Sequence, residues 1–247
     1  MSKKEAKNKQ GIEIPTFILT TGKFLQIIST GLTIRFAAKL FTTPIKYKTP
    51  KREKPMLAAS VQEKVFIESL NKSVVTYRLG NGDKKVLLVH GWSGRGTQLF
   101  RIADAMVAKG YEVISFDAPA HGKSEGKESM MLEFIECIVA FEKKIGPFEY
   151  AIGHSLGGMA IMNALRKGLN VKKIVTIGSG DKISDIVKDF IHQLQLKPTL
   201  APKLTTYFEK KLKGWSKQKK EALIKGDFDM IETLAECRNA THHKYKP

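Results

Sequence analysis

Cysteine is scarce in this sequence. Only Cys137 and Cys237 occur among 247 residues, far apart and in no metal-ligand or redox spacing. They read as free thiols of a reducing compartment, with packing the expected role of Cys137. Long apolar runs are missing as well. The most apolar N-terminal stretch, Phe24 to Ile34, lies between Lys23 and Arg35, well short of the ~20 residues a membrane-spanning helix needs. The basic residues 1–10 read as disordered, and no clean apolar run with a small-residue cleavage site follows them. A cytoplasmic protein is the expectation. Acidic residues are also few, 24 Asp and Glu against 42 Lys and Arg, which leaves a net charge of +18. Such an excess invites nucleic acid or an anionic membrane as partner. There is, however, no RNA- or DNA-binding signature and no aromatic platform interleaved with the lysines. No nucleic-acid partner is expected, and a lysine-rich solvated surface is the plainer reading of the charge.

The charge is unevenly spread. Residues 1–55 hold 12 Lys and Arg against 3 Glu, residues 56–180 hold 16 against 12 acids, and residues 181–247 hold 14 against 9. The middle segment is the least biased and also carries the recognisable motifs. Hydrophobic residues make up 42% of the chain, enough for one sizeable core at this length. Three regions are expected: an N-terminal helix with a basic linker (1–57), a core (58–180) and a helical, cap-like segment (181–247).

From Phe17 to Phe41 the residues Leu25, Ile28, Leu32, Phe36 and Leu40 recur every three or four positions, which predicts one amphipathic helix ended by Thr42-Thr43-Pro44. Its basic neighbours Lys23, Arg35 and Lys39 could rest on anionic lipid, so peripheral membrane contact through residues 17–41 stands beside packing on the protein itself. Residues 45–57, with two prolines and five lysines or arginines, read as a charged linker. Beyond them the period changes. Val61–Ile67 and Val74–Arg78 predict short strands, and Gly80-Asn81-Gly82-Asp83 predicts a turn. Val86-Leu87-Leu88-Val89 predicts a strand buried on both faces. Further strands are expected at 113–116, 150–152 and 171–177. Helices are expected at 98–109, 130–145 and 156–167. This alternation predicts a mainly parallel sheet flanked by helices. Residues 181–240 predict only short helices, broken by Pro198, Pro202, Gly214 and Gly226.

Three motifs carry chemistry. In Ile152-Gly153-His154-Ser155-Leu156-Gly157-Gly158, between a strand and a helix, a strained turn would lift the Ser155 hydroxyl clear of the sheet. The plainer alternative makes Ser155 a helix N-cap. In Val89-His90-Gly91-Trp92 the backbone N–H of Trp92 could face that turn and join the N–H of Leu156 as a two-donor oxyanion hole. His90 is expected to buttress this loop, and a simple strand-to-helix connection is the alternative. In Phe116-Asp117-Ala118-Pro119-Ala120-His121-Gly122, Asp117 is expected to tie down backbone N–H groups.

These motifs, in this order and spacing, resemble the α/β-hydrolase fold family over roughly residues 60–180. The stretch from His90 to Gly96 is similar to a bacterial subgroup of hydrolases and esterases of unspecified substrate. The resemblance implies Ser155 as nucleophile, the Trp92 and Leu156 amides as oxyanion hole, a small-molecule ester or thioester as substrate, and no metal or organic cofactor. It also implies an acid after a seventh strand and a histidine after an eighth, and neither strand is legible here. Lys244-Tyr245-Lys246-Pro247 reads as the lead-in to the seventh. The sequence therefore predicts a serine hydrolase in truncated, weakly active or inactive form. Asp181 with His242 or His243 offers an internal acid and base, although a frayed, solvated tail is the plainer reading of the histidine pair, and His192 falls in a predicted helix. The alternatives are an inert hydrolase-fold binding protein and a basic protein peripheral to an anionic membrane.

Overall fold

The computed structural model describes residues 14–180 and 182–211 of the chain. Val86, Leu87, Leu88 and Val89 organise it, because all four are at most 1% exposed although successive side chains of a strand point to opposite faces. Both faces must therefore be covered. The described residues form six strands, β1 (Val61–Ile67), β2 (Lys72–Leu79), β3 (Lys84–Val89), β4 (Tyr111–Phe116), β5 (Tyr150–His154) and β6 (Lys173–Ile177), in the order β1-β2-β4-β3-β5-β6. β1 and β2 pair antiparallel, as do β2 and β4; β3 with β4, β3 with β5, and β5 with β6 pair parallel. The alternation of strand and helix read from the sequence thus yields a mainly parallel α/β sheet.

Leu87, Ile114 and Ala151 share one face and pack under α5 (Met131–Lys144) and α6 (Leu156–Leu165), with Phe134, Ile138 and Phe141 of α5 fully buried. Cys137 of α5 is also buried and unbonded, as its expected packing role requires. The other face, with Val86, Leu88, Val113 and Ile152, packs under Met56 of α3 (Lys54–Ala59) and Ala103 of α4 (Phe100–Ala108). This cover thins at β6, where Val175 and Ile177 are 45% and 38% exposed.

The N-terminal region departs from expectation in two ways. The single helix predicted over 17–41 is two, α1 (Thr16–Ile28) and α2 (Thr30–Thr42). Ser29 between them is extended, and its hydroxyl accepts from the Leu32 N–H while its carbonyl receives the Thr33 hydroxyl. Capping by Ser29 outweighs the continuous apolar period. The charged stretch 45–57, predicted as a linker, contains a 3-10 turn at Lys51–Glu53 and then α3. Pro55 sits in the first turn of α3, where its missing N–H costs nothing.

After β6 come α7 (Ile183–Gln193) and α8 (Leu200–Lys211), with no strand among the described residues beyond 177. Pro198 separates them as expected. Pro202 does not break α8 but lies in its first turn, for the same reason as Pro55. Both helices pack on the N-terminal pair: Ile34, Ala37 and Ala38 of α2 share one core with Val187, Ile191, Leu204 and Phe208.

Candidate active site

Ser155 connects β5 to α6 with φ 49° and ψ −120°. This conformation suits glycine in a tight turn and costs a β-carbon-bearing residue of order 1–3 kcal/mol. Its N–H donates to the Ile177 carbonyl over 2.8 Å, and its carbonyl receives the Gly158 N–H at 3.0 Å and the Ser179 hydroxyl at 2.9 Å. The side chain makes no capping bond to α6, so the plainer N-cap role lacks its hydrogen bond. Gly157 lets α6 press against the end of β3. A β-carbon there would fall inside the contact shells of the Val89 and His90 carbonyl oxygens.

The loop after β3 lies directly against this turn. A β-carbon on Gly91 would sit 3.1 Å from the Ser155 Cβ and 2.9 Å from His154 Nδ1, a closeness only glycine tolerates. Trp92 follows at once in the chain, as Leu156 follows Ser155, and both are half-buried. Among the described residues, neither the Trp92 nor the Leu156 N–H has an acceptor.

Other bonds hold the loop in place. Gln98 Oε1 receives the Gly91 N–H at 3.0 Å. His90 is buried, with Nδ1 2.7 Å from the Gly91 carbonyl and Nε2 accepting the Ala118 N–H at 3.0 Å, which is the buttressing expected of it. Burial lowers its pKa to about 4, and the ring is neutral at pH 7. The sequence reading overlooked a strap from residues 45–53: Ser93 Oγ receives the Ile45 N–H, Arg95 donates to Thr49, and Glu53 accepts from Thr97 at 2.8 Å. Glu53 is 4% exposed and 3.5 Å from Arg95 Nε. A signal for it was present, since Glu53 is the one acid between Glu13 and Glu63.

Asp117 is fully buried and acts as a tie. One oxygen accepts the Gly96 N–H at 2.6 Å; the other accepts the Tyr77 hydroxyl at 2.8 Å and the Lys123 N–H at 2.7 Å. Burial, and then the Asp117 charge, push the Tyr77 phenol well above its usual range. His121 lies between the rings of Trp92, His90 and Phe134, with Nδ1 at the Pro119 carbonyl and Nε2 unpartnered. Burial first, and then the neighbouring His90, lower its pKa to about 3.

A strained serine between a parallel strand and a helix, with a His-Gly loop against it, is an arrangement that sequence comparison can test. The sequence model of the α/β-hydrolase fold matches residues 84–221, more than half of the chain. The chain belongs to the α/β-hydrolase fold family. Among solved structures, an esterase of Pyrococcus furiosus is similar in two crystal forms at 19% identity. One has a TM-score of 0.53 and covers 68% of each chain; the other has 0.52 and covers 66% of this chain and 70% of the esterase. At this identity the likeness concerns the fold. No curated protein matches the chain in sequence.

Set on the α/β-hydrolase fold, the predicted site residues separate into two groups. The structure sets Gly91 against Ser155, with Trp92 and Leu156 as their respective chain neighbours. It leaves His192 exposed at the end of α7. Asp181, His242 and His243 lie outside the described residues, as does Cys237. Among the described residues no histidine hydrogen-bonds the Ser155 hydroxyl, and the two buried ones, His90 and His121, have their Nδ1 atoms at backbone carbonyls.

Proposed function

We propose that the chain is a serine hydrolase of small-molecule esters or thioesters, with Ser155 as nucleophile and the Trp92 and Leu156 amides as oxyanion hole. The observation that carries this reading is the Ser155 backbone at φ 49° and ψ −120°, a strained conformation held by four main-chain hydrogen bonds, with Ile177, Gly158, Met159 and Ser179, and no side-chain helix cap. Strain of that kind persists where surrounding structure over-determines it, and it concentrates at reactive positions.

The chemistry follows from the positions. Ser155 Oγ attacks the carbonyl carbon, forming a C–O bond as its proton passes to a base. The carbonyl oxygen takes the negative charge and receives the two N–H groups at the head of α6 and of the His-Gly loop, each worth about 10²–10³ in rate where it has been removed from comparable sites. Collapse expels the alcohol or thiol, which carries away the proton, and water then releases the acid from Ser155. On this reading the base is a residue outside those described. His242 or His243, oriented by Asp181, would serve. With no base engaged, an oxyanion hole and binding alone leave about 10³–10⁴ over the uncatalysed rate, and the chain is then weakly active.

The test is covalent. The purified chain is treated with a fluorophosphonate and an aryl ester, and the adduct is located by peptide mass spectrometry. An adduct on Ser155, absent from Ser155→Ala, supports the assignment. Equal labelling or equal hydrolysis by the two proteins removes it. A second reading, an inert binding module, is favoured by the neutral, backbone-tied state of His90 and His121. Stoichiometric retention of an ester without turnover or adduct would select it.

A further inference from the structure

The outward side of α1 is apolar where a surface helix is ordinarily polar. Phe17, Phe24, Ile27 and Ile28 are 70%, 62%, 84% and 57% exposed, and Leu32, in the first turn of α2, is 46% exposed. Helical geometry places the four α1 residues on one side. The other side is already occupied: Ile14 and Ile18 join the core shared with α7 and α8, and Gly22 is buried against Leu196. α1 is therefore apolar on two sides and has a partner for one. Contiguous exposed apolar surface of this kind marks an interaction site.

Charge identifies what fits the second side. From Ile14 to Arg52 the chain has seven Lys and Arg and no acid. Leu32 also lines a groove of about 690 Å³ between α2 and α8, whose lining includes Ile34, Tyr207 and the cations Arg35, Lys203 and Lys210, with no carboxylate. An apolar helix face, with a cationic groove whose lining begins at Ser29 directly after that helix, complements a surface of acyl chains and negative headgroups. A second copy of the chain is a poor occupant, since it would bring the same acid-free segment against this one. The remaining segments have the wrong sign too: residues 1–13 hold four Lys and two Glu, and residues 212–247 hold eight Lys and Arg and five acids.

We propose that the outer face of α1, with the groove between α2 and α8, docks the protein on an anionic lipid surface. The attachment is peripheral, because among the described residues no helix is long and apolar enough to cross a membrane. It is also rigid with respect to the helices after β6. Lys23 Nζ donates to Gln195 Oε1, and the Lys197 N–H donates to Gln26 Oε1, each at 2.6 Å. The docking does not depend on the role of Ser155.

The experiment is co-sedimentation of the full chain with phosphatidylcholine vesicles, with and without phosphatidylserine. Phosphatidylserine should tighten binding about tenfold or more, and added salt should reverse the gain. Phe24→Glu with Ile27→Glu should reduce binding at least about tenfold with an unchanged melting temperature, since both side chains are exposed. If that pair disturbs folding, Phe24→Gln with Ile27→Gln replaces it. Arg35→Glu with Lys203→Glu should weaken binding to the phosphatidylserine vesicles alone. Binding that ignores phosphatidylserine, or that survives the α1 substitutions in a folded protein, overturns the proposal. So does a wild-type dimer that those substitutions dissociate while no vesicle binding is found.

Discussion

The Ser155 N–H donates to the Ile177 carbonyl over 2.8 Å, so the turn between β5 and α6 is pinned to the end of β6. Among the described residues β6 is the last strand of the six-stranded sheet, hydrogen-bonded to β5, and the atom that holds the serine backbone belongs to the end of that strand. Ser179 adds a second tie two residues later, through its hydroxyl on the Ser155 carbonyl. Both ties act on the main chain. Substitutions at 155 therefore separate backbone strain from chemistry.

Ser155→Gly is expected to stabilise the fold by about 1–2 kcal/mol, because glycine adopts φ 49° without the cost a β-carbon brings. The same change removes any covalent labelling. Urea unfolding of the two proteins checks the first effect. A glycine variant less stable than wild type would mean that the serine backbone is not strained.

Gly157→Ala is expected to cost about 1–3 kcal/mol, since its β-carbon would collide with the Val89 and His90 carbonyls and force α6 away from β3. Ester hydrolysis should fall with stability, because the Leu156 N–H moves with that turn. An alanine variant with wild-type melting and activity would show that α6 can shift freely.

Asp117→Asn should destabilise by about 3 kcal/mol. The amide nitrogen would meet a donor where the carboxylate now accepts three hydrogen bonds in full burial. Tyr77→Phe removes only one of the three and should cost about 1 kcal/mol. A double-mutant cycle by denaturant titration checks the pair, and additive costs would contradict their direct bond.

Acid should weaken the fold through two rings. Burial holds His90 near 4 and His121 near 3, against an ordinary 6.5. The folded values lie below the unfolded ones, so the unfolded chain takes up protons first as pH falls. The stabilisation is complete above about 6.5 and is lost as pH drops towards 4 and then 3. The melting temperature of His121→Phe should therefore depend less steeply on pH between 6.5 and 4 than that of the wild type. Identical slopes would show that His121 is protonated without penalty.

The sheet was legible because its strands are written in residues with no alternative. Val86 to Val89 is a short apolar run bounded by turn residues, as a strand buried on both sides requires, and the glycines around Ser155 mark the passage from β5 to α6. The break at Ser29 was hidden for the opposite reason. Apolar residues continue on either side of it, and a single hydroxyl cap decides the outcome. The helix α3 was masked by the charge and prolines of its surroundings, although Met56 within it is 2% exposed. Glu53, Arg95 and Thr97 are brought together across about 40 residues of chain, a distance no local pattern reports. The nucleophile and oxyanion-hole candidates lie on two consecutive features of the sheet and were readable together. A base needs only one side chain at one point in space, and periodicity says nothing of that.

The core joining α2 to α7 and α8 also has a consequence in time. Ile34 and Ile191 meet across about 150 residues of chain, so this contact forms only after most of the protein has left the ribosome. At synthesis rates of about 5–20 residues per second, α1 and α2 wait roughly ten to thirty seconds for their partners. During that interval both apolar sides of α1 face solvent. The nascent chain is then stickier than the finished one, and whatever first meets it, a chaperone or a bilayer, competes with its own unfinished half.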